Sequence, residues 1–419
     1  MPDAVPLIDL DDRSLPDPVR RGRPPLRPWL VVGVLVAAMV TLGAAAPPPP
    51  GMREVLTISG APVTGFVVGV DALYTTTFSS KTGKTEVNRY ALGGGGAGWT
   101  AGITEFASNL RLDPTGGILM ARDNSGERLA FLDAADGTVL WRHLAPEAGA
   151  VLMTAGGVLL PPGADGALVY ADIRTGTPIW RRVVGAEVDV RSDEEADRVV
   201  VTGLDGRVTV LRLTDGSVLG QGDLGVTRAS DTFDVLVDVT GDRLIVSDEK
   251  ARTRTAYRLP GVTRDWQVRD TSFSYAQLCG TVYCLSPATD GVQGVSGVDP
   301  ADGSELWSLP GWDYVRMLAD GRTTVLAGRE IPVIAEIDPR DGSVLRERTT
   351  GALIGEVTMH PDAEALGRTW VLIADRHGTG RRALGPFAIG AYQTCGMIAP
   401  YLACQLTTGP LTVWRLPGE

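Results

Sequence analysis

The stretch "FLDAADGTVLW", from Phe131 to Trp141, has the pattern of a strand, a tight turn and a second strand. Apolar Phe131 and Leu132 lead into Ala-Ala-Asp-Gly, which favours a turn, and Thr-Val-Leu-Trp then resumes β-forming residues. Asp133 stands four residues before Gly137, and Trp141 stands four residues after it. The stretch therefore predicts a β-hairpin with three marked positions.

The same hairpin recurs along the chain. Two further copies keep all three residues, namely Asp172/Gly176/Trp180 and Asp299/Gly303/Trp307. Degenerate copies keep only part of the pattern, so that the marker glycines are Gly95, Gly137, Gly176, Gly216, Gly261, Gly303 and Gly342, with steps of 39 to 45 residues. Two shorter apolar runs precede each hairpin. Four short strands in every 40 or so residues are typical of a β-propeller blade.

Folding alone accounts for the three marked positions. The Asp carboxylate can accept hydrogen bonds from backbone N–H groups of the turn, and Gly supplies a positive φ. The Trp rings are expected to pack flat between adjacent blades, each burying on the order of 200 Å². Radial stacking then covers both faces of each four-stranded sheet.

The predicted fold class is all-β, a β-propeller of about eight four-stranded blades preceded by one transmembrane helix. Seven or nine blades are the alternatives, because the period becomes hard to follow after Gly342. The last blade lacks an outer strand of its own. The segment "REVLTI", Arg53 to Ile58, is expected to supply that strand and close the ring.

The Asp-x-x-x-Gly-x-x-x-Trp pattern over residues 55–419 resembles the pyrroloquinoline-quinone-like repeat of quinoprotein-dehydrogenase-like propellers. This WD40-like repeat occurs in quinoprotein alcohol dehydrogenases and in the propeller lipoprotein of the outer-membrane assembly machinery. Together with its N-terminal segment, the chain resembles membrane-anchored propeller proteins of actinobacteria. The resemblance implies the propeller fold and leaves both an enzymatic and a non-catalytic function possible.

The N-terminal region predicts a membrane anchor. Trp29 to Ala46 is uncharged and almost wholly apolar, and arginines cluster before it. We therefore expect a disordered cytoplasmic tail over 1–28, a transmembrane helix over 29–46, a Pro-rich spacer over 47–54 and an extracytoplasmic propeller over 55–419. The predicted localisation is the cell membrane, with a single span and the N-terminus in the cytoplasm. A cleaved signal peptide is the alternative, although Pro47 directly after Ala46 disfavours cleavage.

The charge excludes one class of partner. The net charge is −11, and residues 1–28 contain five Asp and five Arg, so the excess of acid belongs to the propeller. Because an acidic surface repels phosphate backbones, nucleic acid is not an expected partner.

The four cysteines form two similar pairs. Cys279 and Cys284 flank "GTVY", and Cys395 and Cys404 flank "GMIAPYLA". Each pair is expected to cross-link the arms of one hairpin, which an oxidising extracytoplasmic compartment permits. A metal site is the alternative, but no His stands close in sequence to complete it.

No catalytic, cofactor-binding or metal-binding residues are predicted. Under the quinone resemblance, a dehydrogenase needs calcium-binding carboxylates, an Asp base and, in many members, a disulfide between adjacent cysteines. The chain contains no Cys-Cys dipeptide and no Cys-x-x-Cys-His haem motif. A hydrolase that uses His360 or His377 as its base stays possible, but no Gly-x-Ser-x-Gly motif accompanies them.

The sequence thus favours a non-catalytic binding or scaffolding module whose partners are the membrane and another extracytoplasmic or membrane protein. No cofactor is predicted. The alternative is a quinone-dependent dehydrogenase, with pyrroloquinoline quinone and calcium, or another propeller enzyme. A third hypothesis is a sensor whose tail motif "VPLIDL", Val5 to Leu10, reports to a cytoplasmic partner.

Overall fold

The computed structural model describes residues 52–416, apart from gaps at 60–62, 81, 94–97, 104–106, 145–150, 228–233, 270–271, 289–293, 318–320, 328–332, 349–351, 355–356, 362–367, 375–380, 389–391 and 407–409. For strand residues 333 and 346–393 it describes the backbone only. The predicted tail over 1–28, the transmembrane helix over 29–46 and most of the spacer lie outside the described residues. Within the described ranges, no helix is long and apolar enough to cross a membrane.

The described strands form nine four-stranded antiparallel sheets, which we number as blades in chain order. Blade 1 contains β2 (Val63–Val68), β3 (Ala72–Ser79), β4 (Lys84–Ala91) and β5 (Trp99–Ile103). Blade 2 contains β6 (Ala107–Leu112), β7 (Ile118–Asp123), β8 (Arg128–Asp133) and β9 (Val139–Leu144). Blade 3 contains β10 (Leu152–Met153), β11 (Val158–Leu160), β12 (Ala167–Ala171) and β13 (Pro178–Val183). Blade 4 contains β14 (Val188–Asp193), β15 (Arg198–Gly203), β16 (Arg207–Arg212) and β17 (Val218–Asp223).

The later blades follow the same order. Blade 5 contains β18 (Val235–Thr240), β19 (Arg243–Asp248), β20 (Thr253–Arg258) and β21 (Thr263–Arg269). Blade 6 contains β22 (Ser274–Cys279), β23 (Val282–Pro287), β24 (Val295–Val298) and β25 (Glu305–Leu309). Blade 7 contains β26 (Tyr314–Met317), β27 (Thr323–Ala327), β28 (Val333–Ile337) and β29 (Val344–Arg348). Blade 8 contains β30 (Ala352–Ile354), β31 (Val357–Pro361), β32 (Arg368–Ala374) and β33 (Arg381–Ala388).

The two ends of the propeller share blade 9. Its strands are β34 (Tyr392–Ile398), β35 (Tyr401–Leu406), β36 (Leu411–Arg415) and, from the N-terminal end, β1 (Arg53–Ile58). Strand β1 pairs antiparallel with β36, from Arg53 opposite Arg415 to Ile58 opposite Leu411. The expected closure is therefore confirmed, and β1 begins two residues before the boundary expected at residue 55.

The all-β propeller fold is confirmed, and nine sheets lie at the upper end of the expected range. The first strands of successive sheets contact one another, as β14 contacts β18 and β18 contacts β22, so these strands are innermost. We call the first strand of a blade its inner strand and the fourth its outer strand.

The hydrophobic core lies between the blades, because each sheet buries both of its faces. On β7 of blade 2, Leu119 and Ala121 pack toward Ala72 and Tyr74 of blade 1. Met120, which lies between them, packs on the opposite face with residues of blade 3. Alternating side chains of one strand thus join two different interfaces, as the period of two in a β-strand requires.

Each inner hairpin of blades 6 and 9 contains one disulfide. Cys279 on β22 is bonded to Cys284 on β23, with the two Cα atoms 5.8 Å apart. Cys395 and Cys404 lie directly opposite each other on β34 and β35 and are bonded, with Cα atoms 4.1 Å apart. Because the four sulfur atoms are bonded in pairs, the metal-site alternative is wrong.

The disulfide of blade 9 is expected to stabilise the blade that closes the propeller. Replacing both Cys395 and Cys404 by Ser should lower the free energy of unfolding by roughly 2–3 kcal/mol in oxidising buffer, because the link restricts the unfolded chain. Urea unfolding followed by tryptophan fluorescence measures the change. Under reducing conditions the variant and the wild-type protein should converge, whereas equal stability in oxidising buffer would contradict a stabilising role.

Candidate functional site

The aspartates of the repeat cap the turns between the third and fourth strands. Asp133 Oδ1 accepts a hydrogen bond from the Ala135 amide at 2.9 Å, and Asp299 Oδ1 accepts one from the Ala301 amide at 2.7 Å. Asp172 Oδ1 accepts from the Arg174 and Thr175 amides, and the hydrogen bond from Thr175 lowers the pKa of its carboxyl. Each of these carboxylates therefore caps the backbone of its own turn, and Asp133 also forms an ion pair with Arg174 in the corresponding turn of blade 3.

The glycine and tryptophan of the repeat meet across the joint between two blades. Gly176 of blade 3 has φ of 69°, and a Cβ atom there would lie 2.6 Å from the Trp141 ring of blade 2. The Trp141 indole N–H donates to the Ile173 carbonyl oxygen at 2.9 Å, three residues before that glycine. The absence of a side chain at Gly176 thus makes room for the ring of the preceding blade.

This Trp–Gly contact recurs at five described joints. The pairs are Trp99 with Gly137, Trp141 with Gly176, Trp180 with Gly216, Trp266 with Gly303, and Trp307 with Gly342. Each indole N–H donates to a carbonyl oxygen in the turn of the next blade, in chain order that of Ala134, Ile173, Leu213, Pro300 and Pro339. This pairing was not predicted from the sequence, although each Trp stands at a regular spacing of 35 to 38 residues before the next marker Gly.

The joint between blades 4 and 5 departs from this rule. Gly220 occupies the position of the tryptophan on β17, and its backbone lies directly against the Pro260 carbonyl of blade 5. The residue with positive φ in that turn is Val262, at 51°, whereas Gly261 has no positive φ. The expectation that Gly261 supplies the left-handed position is therefore wrong, because a different turn closes this joint.

Ionisable side chains collect on the inner strands of blades 4 and 5. Asp189 and Arg191 of β14 form an ion pair at 3.4 Å, and Asp238 of β18 accepts a hydrogen bond from the Ala276 amide of β22 at 2.8 Å. Burial raises the pKa of the Asp238 carboxyl, against the opposing effects of the Ala276 amide and of Arg191. The pKa of this inner-edge carboxyl is therefore raised, whereas that of Asp172 in the repeat signature is lowered.

Replacing Asp238 by Asn is expected to stabilise the protein at neutral pH. Because the folded state raises the pKa of Asp238 above its ordinary value of 3.8, the contribution of this carboxyl group to stability is fully present below that pH and is lost as the pH rises through the folded-state pKa. Asn keeps an acceptor for the Ala276 amide without a charge. Urea midpoints of wild type and variant should differ at pH 7 and converge below pH 4. A difference that does not change with pH would contradict this assignment.

Hydrogen bonds also link the inner strands of blades 6 and 7. The Gln277 amide Nε2 on β22 donates to the Val315 carbonyl oxygen on β26 at 2.6 Å. The position corresponds to that of Asp238, because both side chains reach forward to the backbone of the next inner strand. Side chains of the inner strands thus bind the backbone of the next inner strand from blade 5 to blade 6 and from blade 6 to blade 7.

In the described part of the chain, His143 is the histidine whose side chain can be placed, and it belongs to no recognisable site. The His143 ring on β9 lies 6.4 Å from the Trp141 ring in an edge-on arrangement, and burial lowers its pKa. The side chain of His360 and the whole of His377 lie outside the described residues.

The described residues do not fit a quinone and calcium site. The signature aspartates bind turn amides, Asp189 pairs with Arg191, and Asp238 is bound to a backbone amide. In the described part of the chain, no group of three or more His, Cys, Asp or Glu side chains could hold a metal ion. The cysteines form hairpin disulfides rather than the adjacent-residue disulfide of many quinoprotein dehydrogenases.

Comparisons with known proteins agree with this fold. The sequence profile of the family described as "Outer membrane protein assembly factor BamB" matches residues 83–266. Among solved structures, the computationally designed Ika8 protein has 14% identity and a TM-score of 0.50, covering 74% of this chain and 96% of its own. BamB from Moraxella catarrhalis has 16% identity and a TM-score of 0.45, covering 88% of this chain and 98% of its own.

A europium-containing methanol dehydrogenase has 11% identity and a TM-score of 0.47, covering 87% of this chain and 93% of its own. Among curated protein sequences, none matches the chain. These likenesses concern the fold, since all the identities to solved structures are low. The strand order and the Trp–Gly joints show that the described part of the chain is a β-propeller, and residues 83–266 resemble the pyrroloquinoline-quinone-like repeats of the matching profile.

Proposed function

We propose that the protein is a non-catalytic binding or scaffolding module held at the cell membrane, with its propeller outside the cytoplasm. The proposal rests on the structural role of the Asp, Gly and Trp residues of the repeat signature. In the complete copies of the signature, Asp caps a turn and Trp packs on the Gly of the next blade, so these residues stabilise the propeller fold.

The inner edge supplies a surface for a partner. Inner strands are edge strands of their sheets, and edge strands present backbone groups that can pair with an added segment. The exposed guanidinium of Arg191 adds a charged group to this edge beside the half-buried Asp189. The matching profile is named after an outer membrane protein assembly factor, which supports another extracytoplasmic or membrane protein as the partner.

A quinone-dependent dehydrogenase is less well supported. The inner-edge carboxylates Asp238 and Asp189 are already bound to an amide and to an arginine, and in the described part of the chain no group of three or more acidic, His or Cys side chains could hold calcium. Nucleic acid is not proposed as a partner because the chain carries a net charge of −11.

A photo-crosslinking scan of the full chain in cells tests the binding function. A photoreactive amino acid replaces inner-edge residues Arg191 and Tyr275 or, as controls, exposed outer-strand residues Leu144 and Val183. We expect discrete protein adducts from the inner positions and none from the outer positions. Adducts from the outer positions alone, or from no position, would contradict the proposed surface.

A further inference from the structure

Strand β5, the outer strand of blade 1, has an unprotected edge. Its sequence, Trp-Thr-Ala-Gly-Ile, contains no charged residue and no proline. It pairs with β4 without irregularity, from Trp99 opposite Arg89 to Ile103 opposite Thr85. Sheet edges that are regular and uncharged in this way are prone to pair with a further strand.

The other eight outer strands that the structure describes are protected in two ways. The pairing of each with its neighbour contains a bulge or another irregularity. Each also contains a charged residue, which in blades 2 to 9 is Arg142, Arg181, Asp223, Arg264, Glu305, Arg346, Arg381 and Arg53. Because bulges and charges on an edge strand hinder pairing between molecules, blade 1 differs from the other blades in having neither.

Gly102 leaves room on β5 for the backbone of another strand. It is exposed, its φ is not positive, and a Cβ atom there would meet no atom within 4 Å. Neither the conformation nor the packing of this chain therefore requires glycine. The same position in blades 2, 3 and 4 is Leu144, Val183 and Asp223. Glycine inside a strand often marks a place where a second backbone approaches closely.

A second copy of the chain fits this edge. When two β5 strands pair antiparallel with Ala101 opposite Ala101, each exposed Thr100 lies opposite Gly102 of the other copy, and no like charges meet within the pair. The same arrangement on any other outer strand would bring charged residues of one sign near each other. Since each copy has a net charge of −11, an edge without acidic residues is where two copies approach with least repulsion.

The symmetry of such a pair suits two copies in one membrane. An antiparallel pair of identical strands has a two-fold axis perpendicular to the sheet. Blade 9 packs on one face of blade 1, as Leu73 with Ala403 and Val413 shows, so this axis keeps blade 9 of both copies on the same side. Blade 9 includes β1, the strand that follows the expected membrane anchor. One membrane can therefore hold both copies, as the proposed location requires.

We propose that β5 is a dimerisation edge, at which Trp99–Ile103 pairs antiparallel with the same strand of a second copy and joins the two four-stranded sheets into one. Five residue pairs bury less than the roughly 800 Å² per partner of a standard interface. The dimer is therefore weak in solution and is strengthened where anchoring keeps two copies close together. This inference goes beyond the proposed function, which concerns the inner edge of the propeller.

Sedimentation velocity of the purified full chain in mild detergent, over a wide range of protein concentration, tests the dimer by charge exchange. Thr100→Lys combined with Gly102→Lys places like charges opposite each other and should weaken association about tenfold. The corresponding double Glu variant should associate as poorly, and an equimolar mixture of the Lys and Glu variants should dimerise again. Gln221→Lys combined with Asp223→Lys changes the same two positions of blade 4 and should associate as the wild type does.

The inference is overturned if the Lys variant sediments like the wild-type protein at every concentration, or if mixing the two variants restores no dimer. A photoreactive amino acid at Thr100 in cells should give an adduct of twice the mass of the chain, and an adduct with a different protein alone would rule out the second copy. Because both positions are exposed, urea midpoints of the variants should change little. Loss of the dimer together with adducts from Arg191 and Tyr275 would leave the proposed function intact.

Discussion

Replacing Trp180 by Ala is expected to lower the free energy of unfolding by about 3–5 kcal/mol. The substitution removes a ring that is only 9% exposed and that lies on Gly216 of the next blade. It also leaves the Leu213 carbonyl oxygen without the indole N–H that donates to it at 2.7 Å. Both losses act on the joint between blades 3 and 4, so the substitution weakens the propeller at that joint.

Urea unfolding of the purified full chain measures this effect. Trp180→Phe is the matched variant, because it keeps an aromatic ring over Gly216 and removes the hydrogen bond, and it should cost about 1–2 kcal/mol. Leu144→Ala, which changes an exposed side chain on the outer strand of blade 2, should change the stability little. A cost for Trp180→Ala no larger than that of Leu144→Ala would contradict the role of the Trp–Gly contact.

Replacing Gly220 by Ala is expected to cost about 3 kcal/mol, the upper end of the range for overpacking. A Cβ atom at this position would overlap the Pro260 carbonyl oxygen of blade 5. A side-chain rotation cannot relieve the clash, because the positions of the alanine Cβ and of the Pro260 carbonyl oxygen are both fixed by the backbone. The joint between blades 4 and 5 must therefore open for the methyl group to fit.

Gly225 provides the control for this second substitution. It has φ of 68°, and a Cβ atom there would meet no atom within 4 Å. Gly225→Ala should therefore cost only the backbone strain of a left-handed alanine, about 1 kcal/mol. If Gly220→Ala costs no more than Gly225→Ala in the same urea experiment, the close approach of blades 4 and 5 is not a feature of the folded protein.

The sequence predicted the features that arise from local chemistry. Residues that are near in sequence predicted the turn of Asp133 and Gly137 and the two hairpin disulfides. The strand missing from the last blade predicted that Arg53–Ile58 closes the propeller. The number of blades was harder to fix, because no marker glycine follows Gly342, which belongs to blade 7, so the repeat is not visible in blades 8 and 9.

Contacts between blades could not be predicted in the same way. The Trp180 ring meets Gly216, which belongs to the next repeat, and no local propensity marks such a pair. The same holds for Gly220 against Pro260 and for Asp238 with the Ala276 amide, since each depends on the register of two separate sheets. The contacts along the inner edge likewise depend on how the first strands of successive blades lie side by side.

The proposed function requires that this propeller act as a binding scaffold without pyrroloquinoline quinone and calcium. The most direct test titrates the purified full chain with pyrroloquinoline quinone and calcium while following thermal unfolding and the quinone absorbance. We predict no saturable shift of the unfolding temperature and an absorbance identical to that of free quinone. A saturable stabilisation accompanied by an altered quinone spectrum would contradict the claim and identify the protein as a quinone-binding propeller.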